Sequence, residues 1–343
     1  MNKKDILVTG GLGFIGSHTA VSLHEAGYRP ILLDNLSNSE LSVLEGIEKI
    51  TGVAPVFFKG DVNDPSVLNG IFEQFHILAV IHFAAYKAVG ESVEKPLEYY
   101  HNNVGGMINL LKVMKKQGVS NMVFSSSCTV YGEPEVIPVT ENEPVKDATS
   151  PYGASKQMCE TILKDVHWCH TQCLRYFNPV GAHESGFIGE LPIGIPNNLV
   201  PYITQTAAGI REKLTVHGND YPTADGTCIR DYIHVMDLAD AHVAALSRLL
   251  ESKEESYFET FNLGTGNGSS VMEVVEAFEK ATGIKIPTTI GPRRAGDVVR
   301  VWADTTKVNR ILQWKTKRNL QAMMADAWRW QLGLDKSKIK LGS

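Results

Sequence analysis

Near the N-terminus one short segment, Val8-Thr9-Gly10-Gly11-Leu12-Gly13-Phe14-Ile15-Gly16, leaves few folds open to this chain. It satisfies Gly-x-x-Gly-x-x-Gly from Gly10 and Gly-x-Gly-x-x-Gly from Gly11. It also sits between an apolar run, Asp5–Thr9, and a helical pattern over Phe14–Ala26. Glycines there let the backbone turn sharply and approach a pyrophosphate, while the helix N-terminus offers free N–H groups and a partial positive charge. A bare strand-to-helix turn reads the same way, so context decides. Asp34 lies eighteen residues past Gly16 at the end of the next apolar run, where a carboxylate reaches the ribose hydroxyls of a dinucleotide. Its charge repels a 2′-phosphate and so favours NAD over NADP. Asp61, after a third run, fits either an adenine contact or the cap of the helix that follows.

The first half continues as short apolar runs alternating with longer amphipathic stretches. Strands are expected at Asp5–Thr9, Pro30–Asp34, Val56–Lys59, Leu78–Phe83, Asn121–Ser125 and Cys173–Phe177. Helices are expected at Phe14–Ala26, Glu40–Ile50, Pro65–Phe75, Pro96–Gln117 and Pro151–His170, with Gly105-Gly106 a weak point in the fourth. Gly27 and Gly118 suit left-handed caps, and Pro65, Pro96 and Pro151 suit first-turn positions. Strands apolar on both faces and separated by helices predict an α/β fold, a doubly wound parallel sheet covered on both sides.

After Phe177 the chain turns rich in Gly, Pro and Asn with weak periodicity through residue 230, which reads as loops lining a ligand site on a smaller α/β C-terminal domain. Residues 232–250 return to strand-then-helix patterning. The expected division is a dinucleotide-binding domain over 1–178, rejoined by about 231–258, and an interrupted substrate domain over 179–343; a length of 343 residues fits two domains.

Charge and composition exclude other classes. With 33 Lys plus Arg against 38 Asp plus Glu, the net charge of -5 supplies no broad field for nucleic acid or an anionic membrane. No apolar run approaches the ~20 residues of a membrane span, and Met1–Thr9 holds no signal-peptide core. Five cysteines without a CxxC pair, in a chain too long to need staples, predict reduced thiols and a cytoplasmic protein.

A second constellation carries chemistry. In Ser150-Pro151-Tyr152-Gly153-Ala154-Ser155-Lys156, Tyr152 and Lys156 share one helix face, and Ser125-Ser126-Ser127 tips the fifth strand at the edge where α/β sheets bind ligands. For a phenol with an ordinary pKa of ~10 to act as a base near neutrality, its pKa must fall by about three units, or about 4 kcal/mol. One ammonium ~5 Å away contributes about 3 kcal/mol at an effective dielectric of ~20. Lys156 is therefore expected to supply most of the shift, with an oxidised nicotinamide supplying the rest. Alone, Tyr-x-x-x-Lys is an ordinary surface pair. After a dinucleotide turn and a serine-tipped strand it reads as a proton-transfer set.

Further segments extend the pattern: Leu33-Asp34-Asn35-Leu36-Ser37-Asn38-Ser39, His82-Phe83-Ala84-Ala85, Ser125-Ser126-Ser127-Cys128-Thr129-Val130-Tyr131-Gly132 and Leu174-Arg175-Tyr176-Phe177-Asn178-Pro179. The second half adds Gly194-Ile195-Pro196-Asn197-Asn198, Gly218-Asn219-Asp220-Tyr221-Pro222-Thr223, Arg230-Asp231-Tyr232-Ile233-His234-Val235 and Pro292-Arg293-Arg294-Ala295-Gly296-Asp297. Over nearly its whole length the chain resembles the extended short-chain dehydrogenase/reductase superfamily, and within it the UDP-glucose 4-epimerase family. The resemblance implies a Rossmann-type sheet and a catalytic set of Ser127, Tyr152 and Lys156. It also implies NAD contacts from Gly10, Gly13, Phe14, Ile15, Gly16, Asp34, Asn35, Leu36, Ser37, Asn38, Ser39, Asp61, Val62, Phe83, Ala84, Ala85, Lys87, Asn102 and Phe177. For a UDP-hexose it implies contacts from Lys87, Asn178, Asn198, Leu199, Thr215, Val216, His217, Arg230, Arg294, Asp297 and Val301. His217 stands where the family carries an aromatic residue beside the uracil.

The activity so implied is reversible interconversion of UDP-galactose and UDP-glucose. Tyr152 would take the 4-hydroxyl proton while tightly held NAD takes hydride from C4, and the 4-keto sugar would turn over before the hydride returns. Val301 falls where some family members carry a bulky Tyr, so UDP-GlcNAc and UDP-GalNAc are expected substrates too. Similar 4,6-dehydratases follow the serine with an Asp-Glu pair, whereas this chain has Cys128 and Thr129 there. An idle NAD-binding subunit is the other alternative, and the intact Ser127/Tyr152/Lys156 set counts against it. A homodimer is expected, since helices four and five of related folds often pair. No metal is expected: His167-Trp168-Cys169-His170-Thr171-Gln172-Cys173 fits no standard zinc spacing and reads as a helix end followed by core thiols. Trp302, Trp314, Trp328 and Trp330 read as C-terminal packing, and the tail from Leu332, with Lys336, Lys338 and Lys340, as a solvated end.

Overall fold

Every residue of β1 (Asp5–Thr9) is buried, and its alternate side chains feed two different cores, Ile6 and Val8 on one face and Leu7 on the other. Two-sided burial of this kind belongs to a central parallel strand. The computed structural model describes residues 4–252, 258–294 and 297–334, so Ala295, Gly296 and the lysine-bearing tail beyond Leu334 lie outside the described residues. β1 lies between β2 (Arg29–Asp34) and β4 (Ile77–His82); β3 (Val56–Lys59) closes one edge, and β5 (Asn121–Ser127) and β6 (His170–Tyr176) continue the other. A seventh strand, β11 (Phe258–Leu263), pairs with β6, giving the parallel order β11-β6-β5-β4-β1-β2-β3. The order reverses at β1, the topological switch point beside which α/β sheets bind nucleotides.

α1 (Phe14–Glu25) packs on one face together with α2 (Ser42–Thr51) and α9 (Val235–Glu251). α3 (Pro65–Gln74), α6 (Gly106–Gln117) and α7 (Pro151–Asp165) cover the other. Pro65 and Pro151 occupy first-turn positions, and Gly27 and Gly118 are left-handed as expected. α9 followed by β11 carries the second half of the chain back onto this sheet as far as Leu263. The sixth strand begins at His170 rather than Cys173, because His170–Gln172 pair with Asn121–Val123. α7 accordingly stops at Asp165, five residues short of the expected end.

The expected long helix over Pro96–Gln117 is instead α5 (Pro96–Tyr99), a π-helical turn over Tyr100–Gly105 and then α6, preceded by an unanticipated α4 (Val89–Glu94). Asn103 bonds both backbone groups of Tyr86 and the Ser155 hydroxyl, tying this segment to α7.

The region expected to be loops contains small elements: β7 (Asn178–Val180) pairs with β10 (Tyr232–His234), and β8 (Leu214–His217) with β13 (Thr288–Gly291). β9 (Ile229–Arg230) lies between β12 (Ser269–Ser270) and β14 (Arg300–Val301). A separate core of Val200, Ile203, Phe278 and Met324 is enclosed by α8 (Leu199–Ala207), α10 (Val271–Thr282) and α12 (Leu320–Gly333). α11 (Thr306–Ile311) joins the main core through Val308. Trp314 and Trp328 pack within these layers, while the Trp330 indole donates to the Glu190 carbonyl and so fixes a loop beside the candidate site.

Candidate active site

β1 ends in the glycine turn, and two glycines are required there. Gly10 has φ +68°, and a Cβ on it would lie 2.8 Å from the Ala84 backbone nitrogen; one on Gly16 would run into the Gly10 carbonyl. Gly13 caps α1 without a side-chain bond, and the first helical turn has no acidic residue. The positive end of α1, carrying Phe14 and Ile15, is thus open to an anion. Asp34 at the tip of β2 accepts from the Leu12 N–H at 3.0 Å, the Leu36 N–H at 2.9 Å and the Ser39 hydroxyl at 2.7 Å, bracing the turn against the Asn35–Ser39 loop. Leu36 is held there at φ +63°, a strained conformation for a branched side chain. Asp61 does not cap α3, since Asp64 does; Asp61 instead accepts from Asn35 at 2.8 Å and from the Asn63 N–H. Val62, Phe83, Ala84 and Ala85 follow the tips of β3 and β4 on the same edge of the sheet.

β5 runs two residues further than expected and delivers Ser127 to that edge. Ser127, Tyr152 and Lys156 are all buried, at 7%, 7% and 3% exposure. Pro151 and the Ser150 hydroxyl, which accepts from the Gly153 N–H, start α7 so that Tyr152 and Lys156 share one face. Lys156 Nζ donates to the Ser125 carbonyl at 2.7 Å and lies 6.0 Å from the Tyr152 ring centre. Ser127 Oγ accepts from the Thr129 N–H at 3.2 Å and the Thr129 hydroxyl at 3.0 Å, which leaves its own proton to be donated elsewhere. The Tyr152 phenol is pulled two ways: burial pushes it well above its ordinary pKa, and the neighbouring Ser127 hydroxyl pulls it back.

These shifts bear on how far Lys156 alone can acidify the phenol. An ammonium ~6 Å from a phenolate contributes about 3 kcal/mol at an effective dielectric of ~20, roughly two pKa units. Burial opposes it, so Lys156 cannot acidify Tyr152 unaided. Burial also lowers Lys156 itself to about 8. A second positive charge beside the phenol is required.

Phe177 is buried with Val130, Tyr131, Val139 and Ala303, and Val301 packs against this group. Asn102 sits on the π-helical turn, bonded to Asn103. Lys87 and Asn198, far apart in sequence, both reach Glu190: Lys87 at 3.6 Å as an ion pair, Asn198 at 2.6 Å as a donor. Leu199 opens α8 directly after Asn198. Asn178 starts β7 beside Tyr232. Thr215, Val216 and His217 lie on β8, where the His217 ring bonds the Pro292 carbonyl at 3.3 Å. Arg230 pairs with Asp297 at 3.2 Å, and Val301 is its register partner on β14. Arg294 is exposed, whereas its neighbour Arg293 is committed to Asp220 and to the face of Tyr221.

Two carboxylates went unnoticed in the sequence. Glu160 continues the Tyr152, Lys156 face by one further turn, a spacing that could have revealed it. Glu190 carries no such signal. Among the described residues no group of three or more His, Cys, Asp or Glu could hold a metal, and Cys169 and Cys173 are buried core thiols.

Residues 7–327 match the family model for GDP-mannose 4,6 dehydratase. The chain is 54% identical over 330 residues to the UDP-glucose 4-epimerase of Yersinia pestis, covering 95% of this chain and 97% of that one. It is similar to the UDP-glucose 4-epimerase of Bifidobacterium longum in complex with NAD+ and UDP, with a TM-score of 0.91 and 48% identity over 96% of this chain and 98% of that chain. The Stenotrophomonas maltophila UDP-glucose-4-epimerase with bound NAD and formylated UDP-arabinopyranose gives a TM-score of 0.92 at 47% identity, over 96% and 98%.

Proposed function

The chain belongs to the UDP-glucose 4-epimerase family of extended short-chain dehydrogenases/reductases, and we propose that its Ser127, Tyr152 and Lys156 carry out that family's reaction. It is an NAD-dependent isomerase that interconverts UDP-galactose and UDP-glucose through a transient 4-keto sugar. The observation that carries the residue assignment is the burial of these three side chains together, on the sheet edge that also bears the glycine cradle.

The cradle fits NAD: an uncapped helix N-terminus faces the anion, Gly10 and Gly16 admit no side chain, and Asp34 keeps lone-pair capacity for a ribose hydroxyl. When bound, NAD supplies a reversible hydride acceptor and the second positive charge that Tyr152 needs. Tyr152 then removes the proton from the 4-hydroxyl and, once the sugar has turned over so that its other face would meet the returning hydride, gives a proton back to the 4-oxygen. Ser127, whose oxygen already accepts twice from Thr129, has one proton to place between the phenolate and the substrate alcohol, and Lys156 supplies standing positive charge.

Elimination is not supported at positions 128 and 129. Burial pushes the Cys128 thiol up to about 12, so it stays protonated, and Thr129 is spent on Ser127. The match to a dehydratase family model reflects shared architecture. Turnover of UDP-galactose by purified protein with no NAD added tests the reading. Product is expected, and no product even after NAD is supplied contradicts it.

The nucleotide is assigned to the second half: uracil to Thr215, Val216 and His217, diphosphate and ribose to Arg230, Arg294 and Asp297, and sugar to Asn178, Asn198 and Leu199, with Lys87 reaching both ligands. Val301 is small and half-buried beside Phe177, which supports acceptance of N-acetylated UDP-hexoses. A homodimer is supported by exposed Val89, Val93, Leu97, Ile108 and Met158 along α4–α7, and sedimentation would test it. A cytoplasmic setting is supported by the five free cysteines.

A further inference from the structure

Three consecutive residues of β5 are each tied to the proton-transfer corner. The Ser125 carbonyl receives Lys156, and Ser127 is held by Thr129 beside Tyr152, whose phenol its hydroxyl influences. The middle one, Ser126, has no part in the chemistry, yet its hydroxyl donates to Glu160 Oε1 at 2.5 Å in full burial. Arg175 on β6 grips the same carboxylate with two bonds, Nε to Oε1 at 2.9 Å and Nη2 to Oε2 at 2.5 Å. Its third arm, Nη1, donates to the Tyr131 hydroxyl at 2.9 Å, which passes its own proton to Asn262 Oδ1 at 2.7 Å.

The network therefore joins β5, the 3-10 turn over Cys128–Tyr131, α7, β6 and β11, and meets at the one carboxylate a turn beyond Lys156. Both partners are nearly dry, at 7% and 9% side-chain exposure. Buried ion pairs are weak contributors to stability, because apolar replacements of similar volume often do as well. A charged pair held by this many directional bonds fixes geometry, and the geometry fixed is that of Ser127 against Tyr152 and Lys156.

Resting on the functional reading above, we propose that Glu160 and Arg175 are positioning residues for the proton relay, locking the strand end that bears Ser127 to the helix that bears Tyr152 and Lys156. Ser126 and Tyr131 are the tethers through which they act. Glu160 has a second effect in the same direction, since its negative charge opposes the burial that drains charge from Lys156.

The test is steady-state kinetics with UDP-galactose on Glu160→Gln, on the charge-free pair Glu160→Gln/Arg175→Met and on Ser126→Ala, each alongside bound-NAD content and Tm. The double variant leaves no buried unpaired charge and so stays informative if Glu160→Gln folds poorly. Positioning predicts kcat lowered about 10-fold or more in both Glu160 variants and several-fold in Ser126→Ala, with KM within about twofold and NAD retained, since displacements of ~1 Å can cost 10²-fold. In Glu160→Gln the alkaline limb of the kcat profile should also move to lower pH, because Lys156 loses its anionic neighbour. Asp237→Asn breaks a pair elsewhere in the fold, the buried Asp237 with the partly exposed Arg318 at 2.5 Å, and serves as the control that should lower Tm and leave kcat unchanged. Wild-type kcat in the double variant, or losses that merely track Tm as in the control, would overturn the proposal. Tyr152→Phe assayed in parallel separates the two claims: if it stays active, the functional reading itself has failed.

Discussion

The two sides of the candidate site are built differently. On the sheet side, Ser127, Tyr152 and Lys156 are buried and cross-braced by at least four elements. On the opposite side, strands of two to four residues carry Arg230 and His217, Arg294 is exposed, and Lys87 is held only by a 3.6 Å ion pair at 53% exposure. The chemistry accounts for the difference. Proton and hydride transfer tolerate little displacement, so the sheet side is rigid. A sugar that must present both faces to one acceptor needs its nucleotide gripped and its hexose free, the role proposed for the short strands and long charged side chains.

That contrast can be broken by substitution. On the rigid side, Gly10→Ala forces a left-handed alanine into the Ala84 backbone, a strain of about 1–3 kcal/mol. NAD affinity should fall roughly 10- to 100-fold, read as nucleotide content after gel filtration, and unchanged content would argue against the cradle. On the side proposed to grip the nucleotide, Arg230→Ala would remove charge-assisted bonds to the diphosphate, each worth about 1.5–3 kcal/mol. KM for UDP-galactose should rise about tenfold or more with kcat nearly kept; a loss confined to kcat would mean this side is catalytic rather than a grip. The smallest effect sharpens the contrast: Val301→Tyr should reduce turnover of N-acetylated UDP-hexoses several-fold relative to plain ones, and equal losses on both would remove the steric role.

Legibility in the sequence followed the same division. The sheet side was readable because its signals are local: Gly10 to Gly16 in one turn, Asp34 at a strand tip, Tyr152 and Lys156 one helical turn apart. The bracing was not, because it joins residues distant in sequence. Glu160 meets Arg175 and Ser126 only once β5, β6 and α7 are packed, and Glu190 meets Lys87 and Asn198 only through a loop pinned by Trp330. β11 was missed because an edge strand half polar in sequence, Phe258–Leu263 with Glu259, Thr260 and Asn262, lacks the continuous apolar run of its neighbours. The size of the burial effect on Tyr152 was likewise invisible, since spacing fixes which charge is near a phenol and not how dry the site is.

The central claim is that one buried phenol, acidified by two neighbouring positive charges, moves the proton while NAD stays bound. Tyr152→Phe, assayed for bound nucleotide and UDP-galactose turnover in the same preparation, tests it most directly. NAD content should equal wild type and turnover should fall about 10²- to 10⁴-fold. Turnover within a few-fold of wild type, with nucleotide still bound, would place the proton transfer on another residue.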